Sequence, residues 1–137
     1  MSTADAVLRF FRAVDRRDWP AVRAGLADEV ATDYSSLFGT DPERVTGDDL
    51  VAQWQEMLPG FDATQHFLGQ LVAGDGDTLE CNVRGYHHLG EETWMVAGWY
   101  VLTVDSDGRL AGITLHTSYE EGDRGLVDKA RARAGAG

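Results

Sequence analysis

The sequence predicts an α+β fold in which N-terminal helices pack inside a curved, mostly antiparallel sheet. Three observations predict it. Apolar residues recur with a helical period as far as about residue 58, and with a period of two from residue 63 onward. The period-two stretches are separated by short Gly- and Asp-rich turns and not by the helices of βαβ units. A chain of 137 residues, 43% hydrophobic and 26% charged, suffices for one core and leaves no room for a second.

The elements follow in order. Ala4, Val7, Leu8, Phe11 and Val14 line one face of a helix over residues 3–16, with Ser2 or Thr3 to cap it and Asp5 in its first turn. Asp18 followed by Pro20 reads as the start of a short second helix that buries Val22 and Leu26, so the two form a hairpin. Val30 to Tyr34 is β-compatible, and Gly39, Asp41 and Pro42 mark a loop. Thr46-Gly47-Asp48-Asp49 has the spacing of a capping box and opens a third helix with Leu50, Val51, Trp54, Met57 and Leu58 on its buried side. That helix ends before Pro59-Gly60. Four strands are expected over residues 63–72, 77–89, 93–104 and 109–119, with turns at Gly74-Asp75-Gly76, Gly90-Glu91-Glu92 and Asp105-Ser106-Asp107-Gly108. Residues 1–122 then make up the domain, and residues 123–137 a short C-terminal helix or flexible tail.

Charge and motif content exclude several function classes. With 12 Lys+Arg against 23 Asp+Glu the net charge is −11, a surface that repels phosphate backbones, so no nucleic-acid partner is expected. No apolar run reaches the ~18 residues that span a bilayer, and no signal sequence stands at the N-terminus, so a cytoplasmic location without membrane contact is expected. The single Cys81 cannot form an intrachain disulfide. His-Glu-x-x-His, Cys-x-x-Cys and His-x-His are absent, as are Gly-x-Gly-x-x-Gly, a P-loop and a Gly-x-Ser-x-Gly elbow. Neither a metal nor a cofactor is expected. What remains is acid–base chemistry by the protein's own side chains, or plain ligand binding.

The residues able to carry such chemistry are Asp15, Asp33, Tyr34, His66, His87, His88, Tyr100 and His116. His66 shares a strand face with Leu68 and Val72 and is either a structural histidine or a base in a pocket. His87 and His88 are neighbours on one strand and point to opposite faces. Alternation groups His87 with Leu79, Cys81, Val83, Gly85 and Leu89 on the more apolar face, unless a bulge near Gly85 reverses the order.

The order of elements, together with Val14-Asp15-(x)3-Trp19, Asp33-Tyr34-Ser35-Ser36-Leu37, Thr64-Gln65-His66-Phe67 and Gly85-Tyr86-His87-His88-Leu89, resembles the SnoaL-like branch of the nuclear transport factor 2-like superfamily. Within that branch it is similar to the scytalone dehydratases, over roughly residues 5–120. The resemblance implies a cone-shaped α+β barrel of the cystatin-like kind around one deep pocket. It implies a cofactor-independent dehydratase, isomerase or cyclase for a small hydrophobic carbonyl compound, such as a polyketide or other secondary metabolite. In such enzymes a histidine and an aspartate form a pair, here His66 and Asp15, a tyrosine, here Tyr34, holds the carbonyl through water, and a second histidine moves protons. His88 is taken as that second histidine. Leu37, Phe38, Trp54, Leu68, Val96, Gly98 and Tyr100 are taken to contact substrate. The family's other tyrosine falls on Val14, and its strand serine and asparagine fall on Val96 and Gly98, so the dehydratase's own substrate is not expected. The resemblance also implies a homodimer or higher homo-oligomer, and it leaves open a non-catalytic binding module of the same fold.

Overall fold

In the computed structural model, which describes residues 2–136, the chain runs α1 (Thr3–Arg16), α2 (Trp19–Ala24), β1 (Leu26–Asp33), α3 (Ser35–Phe38), β2 (Glu43–Thr46) and α4 (Gly47–Gln55). A 3-10 turn (Leu58–Gly60) leads to β3 (Ala63–Leu68), β4 (Val72–Ala73), β5 (Thr78–Leu89), β6 (Glu92–Val104), β7 (Leu110–Glu121) and α5 (Leu126–Ala136). The sheet is curved and unclosed, in the order β2-β1-β7-β6-β5-β3, with β4 on β5. Strands β5, β6 and β7 form the expected antiparallel meander, while β1 joins β7 in parallel and pairs with β2 on its other side. The α+β cone is therefore present, with β2 and β3 as its open edges. Among the described residues no helix is long and apolar enough to cross a membrane.

The local signals act as their chemistry requires. Ser2 accepts the Asp5 amide, Asp18 that of Ala21, and Thr46 that of Asp49, so each of the first three main helices starts on a side-chain cap. Val7, Phe10, Phe11 and Val14 of α1 pack into the concave face of the sheet, against Val83, Tyr100 and the rest of a single core. Two elements stand where only a loop is expected: α3 and β2 are too short to show a period. The strand expected over residues 63–72 is broken: Gly69 still donates to the Asn82 carbonyl in the β3 register, and the register on β5 then slips by one residue before Val72–Ala73 rejoin it.

The C-terminal residues form α5 and bury Leu126, Val127 and Ala130 completely or nearly so. The helix lies across the 3-10 turn so closely that a Cβ at Gly60 would run into the Ala130 carbonyl. Gly60→Ala should therefore lift α5 from its seat, with a loss of about 2 kcal/mol or more and a fall in melting temperature of roughly 5 °C or more. Thermal unfolding by circular dichroism checks this, with Gly135→Ala, at an open position on the same helix, as the neutral control.

Candidate active site

The cone encloses a cavity of about 590 Å³. Its walls are Phe11 and Val14 from α1, Tyr34, Leu37 and Phe38 around α3, Leu50 and Trp54 from α4, and Val83, Trp94, Val96, Tyr100 and Leu115 from the sheet. Exposed lining residues, among them Asp41, Gln53, Asp128 and Arg131, mark where it opens to solvent. Ser36 fastens the α3 side of the wall: its hydroxyl donates to the Leu115 carbonyl at 2.6 Å and accepts the Thr117 amide at 2.9 Å. That clamp holds Tyr34 and Leu37 over the cavity.

Asp15 and His66 meet at the wall between α1 and β3. Strand β3 is an edge strand, bonded to β5 on one side only, so the His66 amide needs a partner elsewhere. Asp15, in the last turn of α1, supplies it: Oδ2 accepts the His66 amide at 2.8 Å, and Oδ1 lies 2.7 Å from His66 Nδ1. The Thr64 hydroxyl donates to Oδ1 at 3.1 Å. Burial pushes the Asp15 carboxyl up, but its bonds to the His66 ring and amide and to Thr64 outweigh this and hold it below the usual carboxylate range. An ionised Asp15 accepts only, so Nδ1 carries the proton and Nε2 is left for the cavity that His66 lines. The His66 ring is steadied by Phe11, whose ring centre is 5.5 Å away, and Phe11 in turn stacks on Tyr100 at 5.1 Å.

The second histidine at the cavity is His87. The β5–β6 register is unbroken from Thr78 to Leu89, without a bulge at Gly85, so alternation sends Gly85, His87 and Leu89 inward and His88 outward. His88 is thereby corrected as a cavity residue: on the outer face its ring nitrogens meet Thr93 Oγ1 at 2.9 Å and Gln65 Oε1 at 3.2 Å. His87 lies across from His66, ring centres 6.2 Å apart, and Nδ1 donates to the Trp94 carbonyl at 3.1 Å. The Trp94 indole, 4.5 Å from the His87 ring, is itself oriented by a 2.6 Å bond to Glu120. Alternation had grouped His87 with the apolar face but left the order open to a bulge near Gly85, and the unbroken register decides it.

Tyr34 and Tyr100 complete the polar set. Burial pushes both phenols well above their ordinary range, so they stay neutral and can donate. Among the described residues neither hydroxyl has a hydrogen-bond partner, and no fully buried polar side-chain atom lacks one, so both hydroxyls keep contact with the cavity. Leu37, Phe38, Trp54 and Val96 also line it, whereas Leu68 and Gly98 do not. Leu68 lies beyond His66 toward the end of β3. Gly98 sits at the β6–β7 bulge, where a Cβ would collide with the His116 carbonyl, so strand packing explains this glycine. Asp33 caps the Ser35 amide, and His116 stacks on Trp99, ring centres 4.8 Å apart. No group of three or more His, Cys, Asp or Glu that could hold a metal converges among the described residues.

The depth of His87 has a measurable consequence. Burial above all, with the nearby His66 charge, lowers its pKa from 6.5 to about 4, against the opposing pull of the Trp94 carbonyl. The folded protein then binds fewer protons than the unfolded chain between those values. Its contribution to stability is complete above pH 6.5 and is lost as pH falls toward 4, on the order of 3 kcal/mol in all. Chemical denaturation at pH 7 and pH 4.5 should show this loss in the parent and a smaller one in His87→Phe.

Comparison with known proteins agrees with this architecture. A family model described as the SnoaL-like domain matches residues 3–110. No curated protein matches the chain. Among solved structures, the Kfla4162 protein from Kribbella flavida is 26% identical, with a TM-score of 0.79 over 94% of both chains. A Mycobacterium tuberculosis LEH-like epoxide hydrolase shares the fold at 20% identity and a TM-score of 0.68, over 98% of this chain and 92% of that one. So does SalBIII, an epoxide hydrolase/cyclase-like enzyme of pyran ring formation in the polyether salinomycin, at 14% identity and a TM-score of 0.66, over 85% of this chain and 90% of that one. With its cone, its enclosed cavity and a model match over most of its length, the chain belongs to the SnoaL-like family.

Proposed function

We propose that this protein is a cofactor-independent acid–base enzyme, a dehydratase or an isomerase/cyclase, acting on a small hydrophobic carbonyl compound such as a polyketide or other secondary metabolite. The observation that carries the reading is the 2.7 Å contact of His66 Nδ1 with Asp15, which leaves Nε2 for an apolar cavity that Tyr34 also lines. An isolated structural histidine would not need an ionised partner. Aromatic walls suit a flat, largely apolar compound. The fold is shared with SalBIII, whose chemistry is on a polyether, which fits the same substrate range.

The dehydration would run as follows. Nε2 of neutral His66 takes the proton α to the substrate carbonyl, and Asp15 stabilises the imidazolium that forms. Charge developing on the carbonyl oxygen is met by the Tyr34 hydroxyl, directly or through one water, with Tyr100 as a second donor. The Nε2 proton then passes to the β-hydroxyl, the C–O bond breaks, and water leaves as the double bond forms. His87, kept neutral by burial, would accept a hydrogen bond through Nε2 and hold that hydroxyl before it departs. Returning the proton to another carbon instead yields an isomerisation or a cyclisation.

The test is conversion of a panel of aryl β-hydroxyketones, followed by mass spectrometry for loss of one water. His66→Ala should lower kcat/KM by about 10²- to 10⁴-fold, and Tyr34→Phe by about 10²-fold. Full turnover in His66→Ala would sink the base assignment. Quenching of Trp54 and Trp94 fluorescence reports binding independently, since both line the cavity while Trp99 lies outside it. Tight quenching without conversion across the panel would identify a carrier in place of an enzyme.

A further inference from the structure

Behind the His66–Asp15 pair lies a second layer of polar groups that the reaction above leaves unused. Arg17 follows α1 with φ 60°, the one non-glycine among the described residues with positive φ. A side chain bearing a Cβ is disfavoured there, and in Arg17 the guanidinium anchors the turn. One of its terminal nitrogens donates to the Val14 carbonyl at 3.0 Å and to Thr64 Oγ1 at 2.7 Å, the other to the Leu58 carbonyl at 2.8 Å. A guanidinium can only donate, so the Thr64 oxygen is the acceptor of that bond, and its single proton must go elsewhere. It goes to Asp15 Oδ1, 3.1 Å away. Thr64 is 3% exposed, so water does not compete for either bond.

We infer that Arg17 and Thr64 are positioning residues, a relay that commits Asp15 to its ionised, acceptor-only form and so keeps the His66 proton on Nδ1 and the Nε2 lone pair toward the cavity. This deepens the acid–base reading of His66 and rests on it. Asp15 sits in the last turn of α1, where the helix dipole opposes a negative charge, and it is partly withdrawn from water. While His66 is neutral the carboxylate needs another counter-charge, and Arg17 supplies it through the Thr64 hydroxyl. With Arg17 on the acceptor side of that hydroxyl, Thr64 has one orientation, toward Asp15. Released from Arg17, the hydroxyl could rotate and accept, and a protonated Asp15 would become admissible.

The test needs no substrate. The ¹³C titration of the Asp15 carboxyl and the ¹⁵N signature of the His66 tautomer are measured in the parent, Thr64→Ser, Thr64→Val and Arg17→Met. The parent and Thr64→Ser should show the Nδ1–H tautomer and a low Asp15 midpoint. Thr64→Val and Arg17→Met should each raise that midpoint by about one pH unit, about tenfold in proton affinity, and let the Nε2–H tautomer appear. A midpoint and tautomer unchanged from the parent in folded Thr64→Val overturn the relay. Should Arg17→Met fail to fold, the Val and Ser variants at position 64 decide, since they differ by one hydroxyl. On a converted substrate, Thr64→Val should lower kcat about tenfold with KM within about twofold. The two readings fail separately: turnover surviving His66→Ala removes the acid–base reading and leaves the relay standing, whereas turnover lost in His66→Ala with unchanged spectra removes the relay alone.

Discussion

One carboxylate joins the two halves of this molecule. Strand β3 ends the sheet, so its outward amides have no strand to bond, and α1 ends with carbonyls that oppose nearby negative charge. Asp15 satisfies the first need in spite of the second. It closes the open edge at His66 with one oxygen, holds the His66 ring with the other, and is kept ionised there by the donors around it. The tie between the end of the first helix and the sheet edge and the orientation of the imidazole are therefore the same interaction, while the apolar residues of α1 seat the rest of the helix in the core.

The cavity exists because the curved sheet and α1 diverge and the residues facing the gap are small or flat. Val14, Val83, Gly85 and Val96 leave space that Tyr34, Tyr100, Trp54 and Trp94 border without filling. In such surroundings electrostatic effects are strong and unpaired charges costly. The two histidines divide accordingly. His66 has a carboxylate against Nδ1 and can bear a proton in passing, while His87 has only the Trp94 carbonyl and stays neutral. Two rings 6.2 Å apart thus have different roles open to them in one pocket, set by their partners.

Much of the fold was legible because its elements are long and locally specified. Ser2, Asp18 and Thr46 cap the helices they were expected to cap, and the meander turns fall at the Gly and Asp clusters. The gaps have physical causes. Four-residue elements such as α3 and β2 carry no readable period, and the break in the strand expected over residues 63–72 comes from a one-residue slip in register on β5 between Leu68 and Val72. At the site, no local pattern singled out Asp15, His66 and Tyr34; the family resemblance named them together, and the structure brings His66 against Asp15 at a cavity that Tyr34 also lines. Alternation grouped His87 with the apolar face, but whether a bulge near Gly85 reversed that order was not readable locally, and the resemblance pointed to His88.

By itself, then, the sequence determined the longer elements, their periods, the apolar faces and the residue types suited to proton transfer, all of which arise from interactions within a few residues. Only the tertiary structure decided which of two adjacent histidines enters the cavity, that Gly98 serves strand packing, and that α5 is part of the wall. It also decided that Arg17 reaches Thr64, 47 residues away, behind the Asp15 carboxylate. The reason is that register across strands and the closure of helices onto a sheet edge join residues far apart in the chain, and no local pattern encodes which distant donor a buried acceptor will meet.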